Sequence, residues 1–331
     1  MASQTPVRFG TIGFGIMGER MLRSATAHDP AVLTVAGAWD PSAEAMQRLQ
    51  RELPQVQRFA SLDALLAACD AVHIASPPTY HLEQLETAVA AGAAVLCEKP
   101  LAVDVPRARL TVARLAAARG RIAVNFPFTS SFGVDQIAAW CAAGAIGDLE
   151  SVHIEAAFAQ WPRPWQMAAA GWLSKRADGG FTREVLSHFL FLTLRQIGPL
   201  TLQDASVTYP ANGDAETAVT AQLEAGGLPV TVSAQVGGTS QADHNLWVLK
   251  GRTGQIRLRD WAIAEQLQSD GTWAAPATPR SNEEMRPLVL QRQLDKLAAM
   301  TRGEPHTLAT LAEALAVQEL VEAMLHTSVE A

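Results

Sequence analysis

Residues 13–18 read G-F-G-I-M-G, between an apolar strand-like run, VRFGTI (7–12), and a run of helical character, ERMLRSATAH. Three glycines at that spacing, passing from strand to helix, leave few folds open. Gly13 allows a tight turn, Gly15 leaves bare backbone for a pyrophosphate to approach, and Gly18 lets helix and strand pack closely. The helix start then offers its amide hydrogens to the phosphates. Gly13, Phe14, Gly15, Ile16, Met17 and Gly18 are therefore assigned to a dinucleotide-binding loop. A second strand-like run, VLTVAGAW (32–39), ends at Asp40, 22 residues after Gly18. A carboxylate at that distance accepts from adenosine ribose hydroxyls. Asp-Pro is also a good helix start, so Asp40 is equally suited to cap the following PSAEAMQRLQ helix. Its charge opposes a 2′-phosphate and no arginine stands at 41 or 42, so NAD is favoured over NADP.

The rhythm continues as helix SLDALLAAC, strand DAVHIAS, helix TYHLEQLETAVAAG stopping at Gly92, strand AAVLC, helix VPRARLTVARLAAARG stopping at Gly120, and strand RIAVNF. Short apolar strands alternating with helices predict a doubly wound parallel sheet, whose ligands sit at the carboxyl ends of its strands. Two such ends carry chemistry: Ser76-Pro77-Pro78 and Glu98-Lys99-Pro100. The proline forbids continuation of the strand, because it has no amide hydrogen for the ladder. His81, just beyond the first of these ends, is grouped with the cofactor residues as a packing or capping side chain rather than a catalyst.

After about residue 123 the pattern changes. A helical segment, GVDQIAAWCAAGAIG, is followed by the strand-like runs LESVHIEAAFA, LQDASVTY, TAVTAQLEA, PVTVSAQV, HNLWVLKG and GQIRLRDW, separated by EAGGLP, KGRTGQ and SDGT. Alternation with such turns predicts an α+β domain built on a mainly antiparallel, open-faced sheet. The 331 residues, 48% hydrophobic and 18% charged, suit two soluble globular domains. They are placed at 1–123 and 124–331, with the helices from about 287 as scaffold of the second.

A net charge of −7 without a basic cluster argues against a nucleic-acid partner. Cys69, Cys97 and Cys141 are widely spaced and odd in number, which suggests neither a disulfide framework nor a zinc site and fits a reducing cytosol. MASQT leaves no room for a signal peptide, and no run approaches the ~20 uncharged apolar residues of a membrane span. A cytoplasmic protein without membrane contact is expected.

These residues resemble the Gfo/Idh/MocA family of oxidoreductases (glucose-fructose oxidoreductase, inositol dehydrogenase). The resemblance rests on GTIGFGIMG, on ASPPTYHLEQLETAVAAGAAVLCEKPLA, on LKGRTGQIRL, and on WLSKRADGGFTREVLSHFLFLTLRQIG, in which Glu184 stands where the family usually has aspartate. It implies Lys99 as the catalytic lysine, Glu98 near the nicotinamide ribose, and Ser76, Pro77 and Pro78 against the nicotinamide half of the cofactor. It also implies His188 as a second proton-transfer or hydroxyl-binding group, and a homodimer or homotetramer through the C-terminal sheet. On a regular helix Glu184 and His188, four apart, share one face. The family's acid three residues after the histidine is replaced by Phe191, and FPFTSSF after Asn125 lacks its arginine.

The expected activity is hydride transfer between nicotinamide and a secondary alcohol or ketone, or a C1 hydroxyl and lactone, of a sugar, polyol or related small molecule. Lys99, His188 and Glu184 are the catalytic candidates. Asn125, Trp161, Trp165 and Arg183 are the substrate candidates, although the tryptophans suit a core and Arg183 suits an ion pair equally well. Arg163, in the loop AQWPRPWQ, adds a bidentate donor to two aromatic faces, which suits sugar rings or carboxylates. No His/Asp/Glu cluster has metal-ligand spacing, so no metal is expected. Imine or enone reduction on the same fold, or a non-catalytic cofactor-binding sensor, are the alternatives.

Overall fold

The computed structural model describes residues 5–117, 121–276 and 280–327, so the start of the MASQT lead and the stop at Gly120 lie outside the described residues. The chain divides into two compact units, Met1–Thr129 with Pro287–Leu315 and Ser130–Arg286 with Ala316–Ala331.

In the first unit, strands β1 (Val7–Ile12), β2 (Leu33–Trp39), β3 (Ala71–Ile74), β4 (Ala94–Cys97) and β5 (Ile122–Val124) alternate with helices. The helices are α1 (Ile16–Thr26), α2 (Ala43–Glu52), α3 (Leu62–Ala68), α4 (His81–Ala90) and α5 (Val105–Ala117). The strands form one parallel sheet in the order β2-β1-β3-β4-β5. Every residue of β3 and β4 is buried, as a parallel sheet covered on both faces requires. Helix α2 starts on Ser42, whose hydroxyl accepts from the Ala45 amide at 3.2 Å, so the capping role open to Asp40 falls to serine.

In the second unit, α6 (Phe132–Ala142) precedes β6 (Leu149–Phe158), and α7 (Ala170–Leu173) and α8 (Ser187–Gln196) precede β7 (Leu200–Thr208). There follow β8 (Ala218–Ala225), β9 (Leu228–Val236), β10 (His244–Gly251), β11 (Gly254–Arg259), β12 (Ile263–Leu267) and β13 (Trp273–Ala274). The eight strands lie in the order β13-β12-β11-β10-β6-β9-β8-β7. Every neighbouring pair is antiparallel except β6 and β9. Strand β8 shows why this sheet has one inner face: Val219, Ala221, Leu223 and Ala225 are buried while the residues between them are not, the period-2 pattern. Gly226 and Gly227 close the β8–β9 hairpin at φ +57° and +83°, a conformation that glycine adopts without a Cβ penalty.

Two sequence expectations change here. The run GQIRLRDW is not one strand, because β11 stops at Arg259 and both Asp260 and Trp261 turn into positive φ, 48° and 71°. Strand β12 lies outside the strand-like runs of the sequence, since Glu265 interrupts its apolar character. The structure buries that carboxylate by pairing it with Arg257 and Arg259, at 2.7 and 2.9 Å.

The domain boundary also moves. Helix α9 (Asn282–Thr301) falls within the 124–331 span of the second domain, yet its Leu290, Leu294, Leu297 and Ala298 pack in one cluster with Val7, Phe9, Met21 and Leu33. The positions 290, 294, 297 and 298 form the apolar stripe of a helix, and the stripe serves the parallel sheet's core. The chain's last helix, α10, spans Leu311–His326. Among the described residues no helix is long and apolar enough to cross a membrane.

Candidate active site

The glycine loop is built as a cradle. Gly13 is at φ +92°, and a Cβ there would stand 2.8 Å from the Ser76 amide nitrogen; a Cβ on Gly18 would stand 2.0 Å from the Gly13 carbonyl oxygen. Neither position tolerates a side chain. Gly15 is different: a Cβ there would meet only the Ala75 carbonyl oxygen, at an ordinary 3.9 Å, and the residue is exposed, so its backbone stays accessible. Gly15 also caps α1 without a side chain, which leaves the amides of the first turn unpartnered by any cap. These features fit a pyrophosphate.

Of the other loop residues, Ile16 and Met17 are half-buried. Phe14 offers only its backbone to the loop surface, because its ring is buried with Leu22, Ala38, Leu49, Leu53 and Val56. Asp40 Oδ2 accepts from the Phe14 amide at 2.7 Å and Oδ1 from the Ser42 amide at 2.8 Å. The tip of β2 thereby clamps the glycine loop, and each carboxylate oxygen keeps a lone pair for a ribose hydroxyl. Arg48, which sequence spacing did not single out, stacks 4.4 Å over the Phe14 ring, donates to the Phe14 carbonyl and pairs with Glu19.

At the ends of β3 and β4 the two expected turns are tied together. His81 is fully buried, with Nδ1 2.9 Å from the Pro100 carbonyl and Nε2 2.8 Å from the Ser76 carbonyl. Burial pulls its pKa below the ordinary histidine value, against the two carbonyls and Glu98. His81 is thus a brace between Ser76-Pro77-Pro78 and Lys99-Pro100. Ser76 is further held by its hydroxyl on Gln84 at 2.6 Å. Lys99 is half-buried at the end of β4.

Beneath it runs a buried polar chain. Glu98 Oε1 accepts from His73 Nε2 at 2.9 Å and from Asn125 Nδ2 at 2.7 Å, while Asn125 Oδ1 accepts from Gln293 Nε2 at 2.6 Å. Burial alone would push the Glu98 carboxyl up, but the His73 bond and charge, the Asn125 bond and the Lys99 charge outweigh it and hold the pKa below the usual range. Asn125, expected at the substrate, is corrected by this geometry: it is 1% exposed and both ends of its amide are engaged within the protein. His73 and Gln293 were not singled out, since a lone His in an apolar strand and a Gln 168 residues from its partner carry no local signal.

In the second unit, Glu184 and His188 lie on a helix that is not regular. Residues Thr182–Leu186 form a π-helical turn leading directly into α8, so the face shared by residues four apart is not that of the regular α-helix assumed from spacing. Such turns recur at functional sites. His188 is buried, and its ring meets the Trp261 ring edge-on at 5.3 Å. Trp261 takes its positive φ with its amide donating to Asn245 Oδ1 at 3.0 Å; a non-glycine residue in that region is costly and marks functional sites. The glycine pair ahead of the π-turn is packed tight: a Cβ on Gly179 would stand 2.3 Å from the Leu173 carbonyl oxygen, and one on Gly180 2.1 Å from Glu216 Oε2.

Glu216 is 1% exposed, with Oε1 accepting from the Thr182 amide at 2.7 Å and Oε2 without a hydrogen-bond partner among the described residues. Burial raises its pKa, opposed by Thr182 and Arg183. A raised folded pKa means stability that is present below the unfolded value and lost as pH rises through the folded one. Glu216→Gln keeps the acceptor for Thr182 and cannot ionise, so its melting temperature should exceed the wild type's at pH 8 and approach it at pH 4. Thermal melts across that range check the sign; a variant less stable at pH 8 than at pH 4, relative to wild type, refutes it.

Two substrate candidates are reassigned. Arg183 pairs with Glu322 at 2.6 and 2.8 Å and donates to the carbonyls of Arg176 and Gly179, so its fork closes a turn. Trp161 packs on Phe158 and Phe181 and donates Nε1–H to the Leu173 carbonyl at 3.0 Å. Trp165 remains 38% exposed.

Residues 7–126 match a family model described as "Oxidoreductase family, NAD-binding Rossmann fold". The UDP-N-acetylglucosamine 3-dehydrogenase of Acidithiobacillus ferrooxidans is 37% identical over 102 residues, 31% of each chain. The inositol 2-dehydrogenase of Rhizobium meliloti is 30% identical over 123 residues, 36% of each. The matched stretch thus spans about a third of these curated relatives. The fold extends over the whole chain: an oxidoreductase from Agrobacterium radiobacter, solved with NAD+, L-tartaric acid and magnesium, superposes with a TM-score of 0.82 at 19% identity, covering 98% of this chain and 96% of that one.

Proposed function

We propose that this chain, whose residues 7–126 match the NAD-binding Rossmann-fold model of the Gfo/Idh/MocA oxidoreductases, is an NAD-dependent dehydrogenase or reductase. It interconverts a secondary alcohol and a ketone, or a C1 hydroxyl and a lactone, on a sugar, polyol or related small molecule. The observation that carries this reading is the braced pair of turns in the first unit. Gly13 lies against the Ser76 backbone, and His81 ties that backbone to the turn bearing Lys99.

The uncapped start of α1, the open face of Gly15 and the Asp40 carboxylate would hold the dinucleotide. Asp40 favours the form without a 2′-phosphate. When bound, the nicotinamide supplies the hydride acceptor or donor. Lys99 moves the proton at the substrate oxygen, taking it in oxidation and returning it in reduction. In the second unit, His188 is read as a hydroxyl-binding or proton-transferring group and Glu184 as an orienting acceptor for a hydroxyl. Glu98 is the fixed carboxylate beside the lysine, near the nicotinamide ribose. The open face of the second sheet is read as the surface through which copies form a dimer or tetramer, since an uncovered sheet face needs covering.

The test is a panel of polyols, inositols, aldoses and the matching ketones, followed at the reduced-nicotinamide absorbance with NAD and NADP in parallel. Turnover of at least one CH–OH compound with NAD preferred is expected. Turnover confined to imines or enones, or NAD binding without any turnover, overturns it.

A further inference from the structure

Two arginines of the second unit lie over one indole ring, that of Trp165. Arg163, 4% exposed, sits with its guanidinium carbon 4.7 Å over the Trp165 ring, and the Arg286 guanidinium carbon lies 5.8 Å over the same ring. The charge of Arg163 has its counter-ion: Nη1 donates to Asp243 Oδ2 at 2.5 Å, and Nε to Gln166 Oε1 at 2.8 Å. Its Nη2 stands 3.8 Å from Glu184 Oε1, which accepts from Gln166 Nε2 at 3.2 Å. Arg286 is different. Among the described residues it feels Arg163, Asp243 and Glu283 through space but makes no hydrogen bond or ion pair.

Burial and the nearby charge of Arg163 pull the Arg286 pKa down. Both effects penalise its charge, and a bound oxyanion would relieve both. The fork suits a carboxylate or phosphate, and the part of the Trp165 indole that reaches solvent, in a residue 38% exposed, suits the C–H surface of a sugar-like ring. Glu184, an acceptor 3.8 Å from Arg163 Nη2, suits hydroxyls rather than the anion.

We infer that Arg286 and Trp165 form an anion subsite, and that the substrate is a polyhydroxylated small molecule carrying a carboxylate or phosphate group. The inference rests on the reading of Glu184 as a substrate-facing group. In this arrangement the anion engages Arg286, the ring lies on Trp165, and a hydroxyl reaches Glu184.

The test is calorimetric titration of the full chain with NAD, using D-gluconate and D-glucuronate for the carboxylate, D-glucose 6-phosphate for the phosphate, and D-glucose as the neutral counterpart. At least one acid is expected to bind about tenfold or more tightly than glucose, and the arm that does so tells carboxylate from phosphate. Arg286→Ala should abolish that preference, and Arg286→Lys, which keeps the charge without the planar fork, should retain part of it. Equal binding of glucose and the acids, no binding of any acid, or unchanged preference in a folded Arg286→Ala chain overturns the subsite. The same compounds are assayed for turnover: binding that depends on Arg286 without turnover of any compound sinks the dehydrogenase reading alone.

Discussion

Replacing Lys99 with alanine should lower turnover by about 10²–10⁴-fold, the range contributed by a positioned acid/base, while NAD affinity stays within a factor of a few. The residue stands at the end of β4, where Pro100 stops the strand, and the turn around it is braced by His81 rather than by the lysine itself. Removing the amine therefore removes a proton carrier without dismantling the cradle made by the glycines and Asp40. Lys99→Arg sharpens the test. A guanidinium keeps the charge but does not release its proton, so this variant should be as slow as the alanine variant if proton transfer is the role, and near wild type if only charge matters. Steady-state rates with a turned-over substrate, beside a fluorescence titration of the reduced cofactor, give both readouts. Near-normal turnover of Lys99→Ala would remove the lysine from the mechanism.

The second large effect concerns stability. Glu98→Ala takes the shared acceptor from His73 and Asn125 at once and leaves two buried donors unmatched, a loss of about 3–5 kcal/mol. Glu98→Gln should cost less, since its carbonyl oxygen can still accept from both His73 and Asn125, as Oε1 does, and only the charge is lost. The pH dependence has a definite sign. A carboxyl whose folded pKa is lowered contributes stability that is present above its unfolded value, about 4.3, and lost as pH falls through the folded one. The wild type's advantage over Glu98→Gln should therefore be full at pH 7 and shrink below about pH 4. Denaturation measured at both values checks it, and an advantage that grows with acid would reverse the assignment of Glu98 as a held carboxylate.

The parallel sheet was legible because each of its parts is a local pattern: apolar strand, glycine turn, helix. The same holds for the Gly13–Gly18 loop and for Asp40 at a strand tip. What escaped were contacts made between distant stretches. Asn125 looks like a loop polar group until Gln293 closes on it from α9, and Glu216 is an ordinary acid in a loop until Gly180 packs against it. Arg183 and Trp161 carry side chains that suit a ligand, but ion-pair and aromatic partners from other elements occupy them. The π-turn before α8 has no signature in the spacing of Glu184 and His188, because one added residue in a turn leaves the composition unchanged.

The family match ends at residue 126, but the apolar interior around Phe9 does not, because Leu290, Leu294 and Leu297 complete it. A gene fragment stopping at 126 would expose that gap to water and strand the Asn125 amide, so it should yield an aggregating or molten product. Grafting the dinucleotide module onto another protein would require carrying 287–315 along as a second, separately encoded piece.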